Sequence, residues 1–372
     1  MEPIRVLEVL ASGAVGGGSS HLESLIRGLA PERFAVSVAT SGPLIQTLSL
    51  RGTPVLDLGT DAWRAIRRLN EAMRHAQLVH VHGTRAGLLA LPGARIHGLP
   101  LLYTVHGWSF HPRRFRSAAA SLEGFLARQC RHVVCVSQDD WLQGLDRGIL
   151  QLKHSRVIPN GIDLSRFKPD PLARHETRDR LGIPDQAPLV GFMGRLTYQK
   201  APELFVLAAH AVLSRFPEAM FLLIGDGPER SRLERLIQAL GITSRIQVLG
   251  ERHDVPELLA ALDCFVLPSR WEGLPIALLE AMAVGVPAIA TAVNGTQELI
   301  QPKESGWLVP PDQLAELITA LFASLSDPAR AQAFAQAARA RIERDYALPT
   351  MIEGVQALYE EVIEGYAPCR VL

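Results

Sequence analysis

Glu272 and Glu280, with seven residues between them, are the pair from which the chemistry of this sequence can be read. The apolar run Cys264-Phe265-Val266-Leu267 predicts a strand ending at Pro268, and Pro275 predicts a helix start, where its missing backbone donor costs nothing. Glu272 then lies in the strand-to-helix loop. Glu280 lies about two turns into the helix, on the face of Ile276. Carboxylates accept hydrogen bonds from hydroxyls, while free amides at a helix start favour an anion. A ligand carrying sugar hydroxyls and phosphate charge satisfies both. Two acids alone are more often solvated surface charge. Trp271 before Glu272 and Gly273-Leu274-Pro275 after it argue for a built loop instead.

Cations that fit such a ligand lie upstream. Arg195 and Lys200 share the loop that follows the apolar run Leu189 to Met193, and can close on a diphosphate, the guanidinium bidentately and the ammonium as a point charge. Gly16, Gly17 and Gly18 follow the first apolar run and allow close backbone approach to a phosphate. Ser20 with Glu23 predicts a capping box opening a helix over residues 22–30. A dinucleotide fingerprint fits poorly, because no acid ends the second strand near Thr40. His80, His82 and His106 stand at the ends of strands, the edge at which open α/β sheets bind ligands. His106, just ahead of Gly107, is the catalytic candidate. His80 and His82 are assigned to opposite faces of their strand, and no metal site is expected. Gly225-Asp226-Gly227-Pro228 reads as structural, with Asp226 or Gly227 capping a helix and Pro228 in its first turn. The amides from Val293 to Glu298, and Glu298 itself, are expected to line the crevice floor.

Short β-branched runs alternating with helical patterns must position these residues, which predicts parallel sheets covered by helices. Strands are expected at residues 4–10, 34–39, 54–58, 78–81, 101–105 and 132–136, and again at 189–193, 220–224, 246–249, 264–267, 288–291 and 306–309. Two such series imply two Rossmann-like domains, 1–158 and 159–345, with a hinge near Ile158 to Lys168. Residues 331–363 read as helical with a break from Tyr346 to Pro349, and 346–372 as a C-terminal helix packing back on the first domain.

A chain of 372 residues exceeds one core, in keeping with two domains. Its 48% hydrophobic and 20% charged residues describe a soluble globular protein. Residues 1–158 hold 18 Lys and Arg against 11 Asp and Glu, and the remainder 20 against 27. The basic first half suits an anionic acceptor or peripheral contact with an anionic membrane. Arg113-Arg114-Phe115-Arg116 and the helix carrying Arg64, Arg67, Arg68 and Arg74 add basic faces. No nucleic-acid partner is expected. Cys130, Cys135, Cys264 and Cys369 are scattered and read as reduced core residues. Arg5 and Glu8 interrupt the first apolar run, so it is no signal peptide. No run reaches the roughly 18 to 20 apolar residues that span a bilayer. The expectation is a cytoplasmic protein, peripheral at the inner membrane face at most.

Taken together, these motifs resemble those of the retaining glycosyltransferases of family 4. The resemblance rests on Gly16-Gly17-Gly18, Val81-His82-Gly83, Thr104-Val105-His106-Gly107, Pro159-Asn160-Gly161-Ile162-Asp163, Gly194-Arg195-Leu196 with Lys200, Gly225-Asp226-Gly227-Pro228, and Glu272-Gly273-Leu274-Pro275 ending at Glu280. It covers nearly the whole chain. It implies the α/β GT-B fold, two Rossmann-like domains facing each other across a cleft. It also implies a hexosyltransferase-type enzyme that moves a sugar from a nucleotide-sugar donor, UDP- or GDP-linked, to a hydroxyl of a glycan or lipid-linked acceptor in cell-surface polysaccharide or glycolipid synthesis.

By the same resemblance Arg195 and Lys200 hold the donor diphosphate, Glu280 binds ribose and Glu272 faces the donor sugar. Leu274, Pro275 and Ile276 offer backbone amides, and His106 stands against the transferred sugar. Gly16, Gly17 and Gly18 form the loop that closes over the phosphates. Ser19 and Ser20 stand where many relatives carry an acid, Asn294 replaces the first glycine of a pair, and Ala201 replaces a common glycine. No cofactor and no metal are implied beyond the nucleotide-sugar substrate. Retention without an obvious nucleophile implies same-face attack, the leaving phosphate taking the acceptor proton. Two other classes compete: a nucleotide-sugar epimerase, recognised by free sugar formed without acceptor, and a non-catalytic nucleotide-sugar-binding protein, which never consumes its donor. Arg195, Lys200, Glu272 and Glu280 occurring together favour the transferase.

Overall fold

Strands buried on both faces must be near-continuous apolar runs, and such runs pair in parallel when helices connect them. The computed structural model describes residues 2–14, 16–108 and 116–365, with only the backbone of 116–118. Arg113, Arg114, Phe115 and Cys369 lie outside the described residues. Strands β1 (Ile4–Leu10), β2 (Phe34–Thr40), β3 (Val55–Asp57), β4 (Leu78–His82), β5 (Leu101–Val105), β6 (His132–Cys135) and β7 (Ser155–Val157) form one parallel sheet in the order β3-β2-β1-β4-β5-β6-β7. Strands β8 (Leu189–Met193), β9 (Met220–Ile224), β10 (Ile246–Gly250), β11 (Cys264–Leu267), β12 (Ala288–Thr291) and β13 (Trp307–Val309) form a second, in the order β10-β9-β8-β11-β12-β13. Both orders reverse beside the first strand of the sheet. The switch points therefore lie between β1 and β4 and between β8 and β11, where a crevice opens at the carboxyl ends.

The chain divides into two compact units, one made of residues up to Gly161 together with those from Leu348 onward, the other of Ile162–Ala347. Sequence reading placed these borders at 158 and 345. In the first unit Leu7, Val9, Val79, Val81, Tyr103 and Val105 fill one side of the sheet. The other side, with Val6, Leu78, Leu102 and Val134, is covered in part by the helix Leu348–Glu364. Its Met351, Val355, Leu358, Tyr359 and Val362 are at most 2% exposed. Each such side chain is worth about 1.5–3 kcal/mol on burial. A Cβ on Gly28 would sit 2.5 Å from Ile352 Cδ1, so glycine sets how closely the helices Gly17–Gly28 and Leu348–Glu364 approach. In the second unit Val190, Phe192, Phe205, Phe221, Leu223, Val266 and Ile289 form the equivalent core.

Three local expectations fail for physical reasons. The first helix begins at Gly17 with Gly16 as its cap, so Ser20 and Glu23 are inside it and no capping box forms; Ser19 Oγ instead donates to Ala14 O at 2.6 Å. The helix after Gly227 begins only at Arg230, with no side-chain cap from Asp226. Gly225 and Gly227 serve close approach instead, since added Cβ atoms would lie 2.1 Å from Gly194 O and 2.5 Å from Leu196 O. Strand β7 was not expected, because three residues around Arg156 make no apolar run. Cys130, Cys135 and Cys264 are buried and free, and burial pushes the Cys264 thiol up to about 12.

Candidate functional site

In the second unit the loops after β8 and β11 flank the switch point and are stitched together. Lys200 Nζ donates to Glu272 Oε1 at 2.5 Å, and Ser269 Oγ donates to the same oxygen at 2.6 Å. The pair is well covered, with side-chain exposures of 15% and 5%. A buried ion pair survives loss of water only when further hydrogen bonds complete it, which Ser269 does here. Arg270 braces the same loops, donating to Tyr198 O at 2.6 Å, Glu203 at 2.6 Å and Asp312 at 2.8 Å while lying 4.0 Å over the Tyr198 ring. Arg195 is exposed and makes no ion pair or side-chain hydrogen bond among the described residues. Its guanidinium is available to an anion.

The helix Ile276–Val284 starts immediately after Pro275, so its first turn points unpaired donors at the same edge. Pro275 has no N–H, which corrects the expectation that it donates; of the three, Leu274 and Ile276 carry an N–H. Glu280 is half-buried in this helix, and loss of hydration pushes its carboxyl up to about 8, with Arg166 pulling the other way. Near neutral pH it can both donate to and accept from ribose-like hydroxyls. The turn after β12 completes the wall: Gly295 N donates to Gly273 O at 3.0 Å, and Asn294 Oδ1 lies 3.4 Å from Glu272 N. Asn294 has φ 39°, and Ala201 φ 48° and ψ 47°. Both departures from glycine therefore fall where left-handed backbone favours glycine. Asn tolerates that region better than Ala. A cavity of about 610 Å3 in this unit lies at the opposite edge, lined by Pro188, Leu262, Asp263 and Pro287 just before β8, β11 and β12.

In the first unit the switch point is lined by imidazoles. His82 Nε2 lies 2.8 Å from Glu8 Oε2, and His82 Nδ1 lies 3.2 Å from His106 Nε2. His80 bonds Tyr359 Oη at 2.6 Å and Thr104 Oγ1 at 2.7 Å, while Tyr359 donates to Glu8 Oε1 at 2.5 Å. The two rings His80 and His82 are 4.4 Å apart. Residues two apart in a strand share a face, so the assignment of these histidines to opposite faces was wrong. Among the described residues, Glu8, His80 and His82 form one group whose ligand atoms are close enough to hold a metal ion, and His21, His82 and His106 another.

Glu8 is fully buried. Burial alone would raise its carboxyl, but His80 and His82 outweigh it and hold Glu8 well below the usual range. Burial lowers His21 to about 3, and lowers His82 and His106 as well. Gly16 to Gly18 stand at the start of the helix that carries His21; beyond its chain neighbours and its own helix backbone, no atom of the described residues lies within 4 Å of where a Gly17 Cβ would be, and for Gly18 only Leu10 Cδ1 does, at 3.7 Å. The open surface there leaves room for a phosphate. Glu8, His21, Asn160 and Tyr359 had no assigned role in the sequence reading. The signal for Glu8 was an acid inside a run destined for the middle of a parallel sheet.

Two family models match the chain: "Glycosyltransferase Family 4" over residues 15–166 and "Glycosyl transferases group 1" over residues 173–341. The chain is 29% identical over 294 residues to the UDP-Gal:alpha-D-GlcNAc-diphosphoundecaprenol alpha-1,3-galactosyltransferase of Escherichia coli, covering 77% of this chain and 76% of that one. It is 34% identical over 214 residues to a lipopolysaccharide core biosynthesis mannosyltransferase of Rhizobium meliloti, covering 56% of this chain and 61% of that one. In fold it matches Anabaena HepE, solved with UDP-glucose, with a TM-score of 0.88 at 23% identity over 96% of this chain and all of that one. Two Rossmann-like sheets, a model of the family on each unit and relatives that are all named sugar transferases leave one assignment: the chain belongs to the family 4 type of glycosyltransferases, with the GT-B fold.

Proposed function

We propose that this glycosyltransferase moves a hexosyl group from a nucleotide-sugar donor to a hydroxyl of a glycan or lipid-linked acceptor, with retention and with no metal in the chemical step. The observation that carries the reading is the stitched pair of loops in the second unit, in which exposed Arg195 and the Lys200–Glu272 pair share an edge with a helix start. A diphosphate leaving group needs positive charge as the glycosidic bond breaks, and Arg195, Lys200 and the Ile276 amide supply it. Each such donor is worth roughly 2.7–4 kcal/mol of barrier, so three or four fall within the roughly 8–23 kcal/mol that enzymes remove. Glu280 takes the ribose hydroxyls, and Glu272, tied by Lys200, orients the donor sugar. The bond from the anomeric carbon to the phosphate oxygen breaks as the acceptor oxygen bonds the same face, and the acceptor proton passes to the departing phosphate.

The relatives act on a UDP-galactose donor with a diphosphoundecaprenol acceptor and in lipopolysaccharide core synthesis, which favours UDP- or GDP-sugars and a lipid-linked or polysaccharide acceptor here. No helix among the described residues is long and apolar enough to cross a membrane. A peripheral contact at an anionic surface is served by the helix Ala62–Ala72, where Trp63 is 78% exposed beside exposed Arg64, Arg67 and Arg68. Co-sedimentation with anionic vesicles that Trp63→Ser leaves unchanged would remove that contact from the reading.

The test is a screen of UDP- and GDP-sugars by thermal shift, followed by an assay with the stabilising donor and a polyprenyl diphosphate sugar. Acceptor-dependent release of nucleoside diphosphate, with an α-linked product from an α-linked donor, is expected. Free sugar formed without acceptor would favour an epimerase or hydrolase, and a donor bound but never consumed would favour a binding protein.

A further inference from the structure

Among the described residues, His21, His82 and His106 each offer a ring nitrogen, and these atoms lie within 4.8 Å of one another. His21 and His106 meet edge to face with centroids 4.7 Å apart, and the His82 and His106 rings are stacked at 5.4 Å. The outer nitrogens are already engaged. His82 Nε2 faces Glu8 Oε2 at 2.8 Å, and His21 Nδ1 faces Asn160 Oδ1 at 2.9 Å. Both partners are acceptors, so each fixes the proton on the nitrogen that faces it and leaves a lone pair on the other. Those lone pairs are His82 Nδ1, 3.2 Å from His106 Nε2, and His21 Nε2, which is buried with no hydrogen-bond partner. An orphaned acceptor in a side chain only 4% exposed costs stability unless something fills the place.

We propose that His21 Nε2, His82 Nδ1 and His106 Nε2 form a binding site for one divalent ion of the zinc type, held by three neutral imidazoles with a fourth position open.

The dimensions fit. Metal–nitrogen bonds of about 2.0–2.1 Å in a tetrahedron set neighbouring nitrogens about 3.3–3.4 Å apart, against 3.2 Å for His82 and His106. The two edges to His21, each at most 4.8 Å, close with a side-chain movement of His21. Glu8 and Asn160 stand where outer carboxylates and amides orient metal-bound histidines. His106 is half-buried and so leaves a side through which an ion can enter. Imidazole ligands select zinc, copper or nickel over magnesium or calcium. The neighbouring group of Glu8, His80 and His82 is a poorer candidate, because its side-chain atoms are already engaged by one another, Tyr359 and Thr104. The transfer reaction draws its positive charge from Arg195 and Lys200, so the chemical step does not call on this ion.

The test strips the full chain with a chelator and titrates it with Zn2+ against a chromophoric indicator. One equivalent is expected to bind. Affinity should fall at least tenfold in His21→Ala, and about 10- to 100-fold in Glu8→Gln, the range for loss of an outer partner. Should either variant fail to fold, the wild-type protein loaded with Co2+ decides: intense visible bands of tetrahedral cobalt support the site, and weak octahedral bands overturn it. Binding of less than one equivalent, or an affinity that His21→Ala leaves unchanged, also overturns it.

Discussion

The two sheets run in the same strand order and break at the same place, yet their switch points hold opposite chemistry. In the first unit the residues beside the break are Glu8, His80 and His82, nearly all dry and bonded to one another. In the second they are Arg195, Lys200 and Glu272, of which the first is exposed and, among the described residues, unpaired. Topology supplies a crevice, and side chains decide whether it is spent on internal bonding or left open to a charged ligand. A network closed on itself should answer mutation mainly in stability. A site with an open cation should answer mainly in rate.

The largest expected effect tests the first half of that contrast. Glu8→Ala strands His80, His82 and Tyr359 in a dry interior and should cost about 3–5 kcal/mol of unfolding free energy, read by denaturant melts. A change below about 1 kcal/mol would mean that the network carries little. Arg195→Ala should lower kcat/KM by roughly a hundred- to a thousandfold, with stability unchanged within about 0.5 kcal/mol. Lys200→Ala is a poorer probe, since it abandons a buried Glu272 and mixes both effects.

A smaller effect comes from Glu280, whose folded carboxyl lies near 8 against an ordinary value of 4.5. The folded state then holds a proton that the unfolded chain has released, so stability is full below about pH 4.5 and falls as pH rises toward 8. Because the group is half-buried, the loss should be about 1–3 kcal/mol, and Glu280→Gln should flatten it. A wild-type profile parallel to that of Glu280→Gln would show that the carboxyl is hydrated. Smallest is Ala201→Gly: relieving a left-handed alanine gains about 1–2 kcal/mol and the freer unfolded chain returns part of it, for a net gain up to about 1 kcal/mol in thermal melts.

Legibility from sequence followed the same divide. Arg195, Lys200 and Glu272 stand in short loops after apolar strands, and Glu280 in the helix that follows the second of these loops, so local spacing was enough to single them out as candidates. The sheets were legible for the same reason, apart from β7, whose three residues carry too little apolar signal. The histidine network is assembled from Glu8, His21, His82, Asn160 and Tyr359, a contact span of 351 residues between Glu8 and Tyr359. No local pattern announces such a set. The helix start was missed because Gly17 and Gly18 have poor helix propensity, which the surrounding packing overrides.

The helix Leu348–Glu364 has a consequence for how the protein is made. Ribosomes deliver the chain from its amino end, and domains generally fold as they emerge. Here Tyr359, the donor that closes on Glu8, is translated 351 residues after it. Ile162–Ala347 can thus complete its core while the earlier unit still waits, with one flank of its sheet bare, for a helix translated after the whole of the second unit.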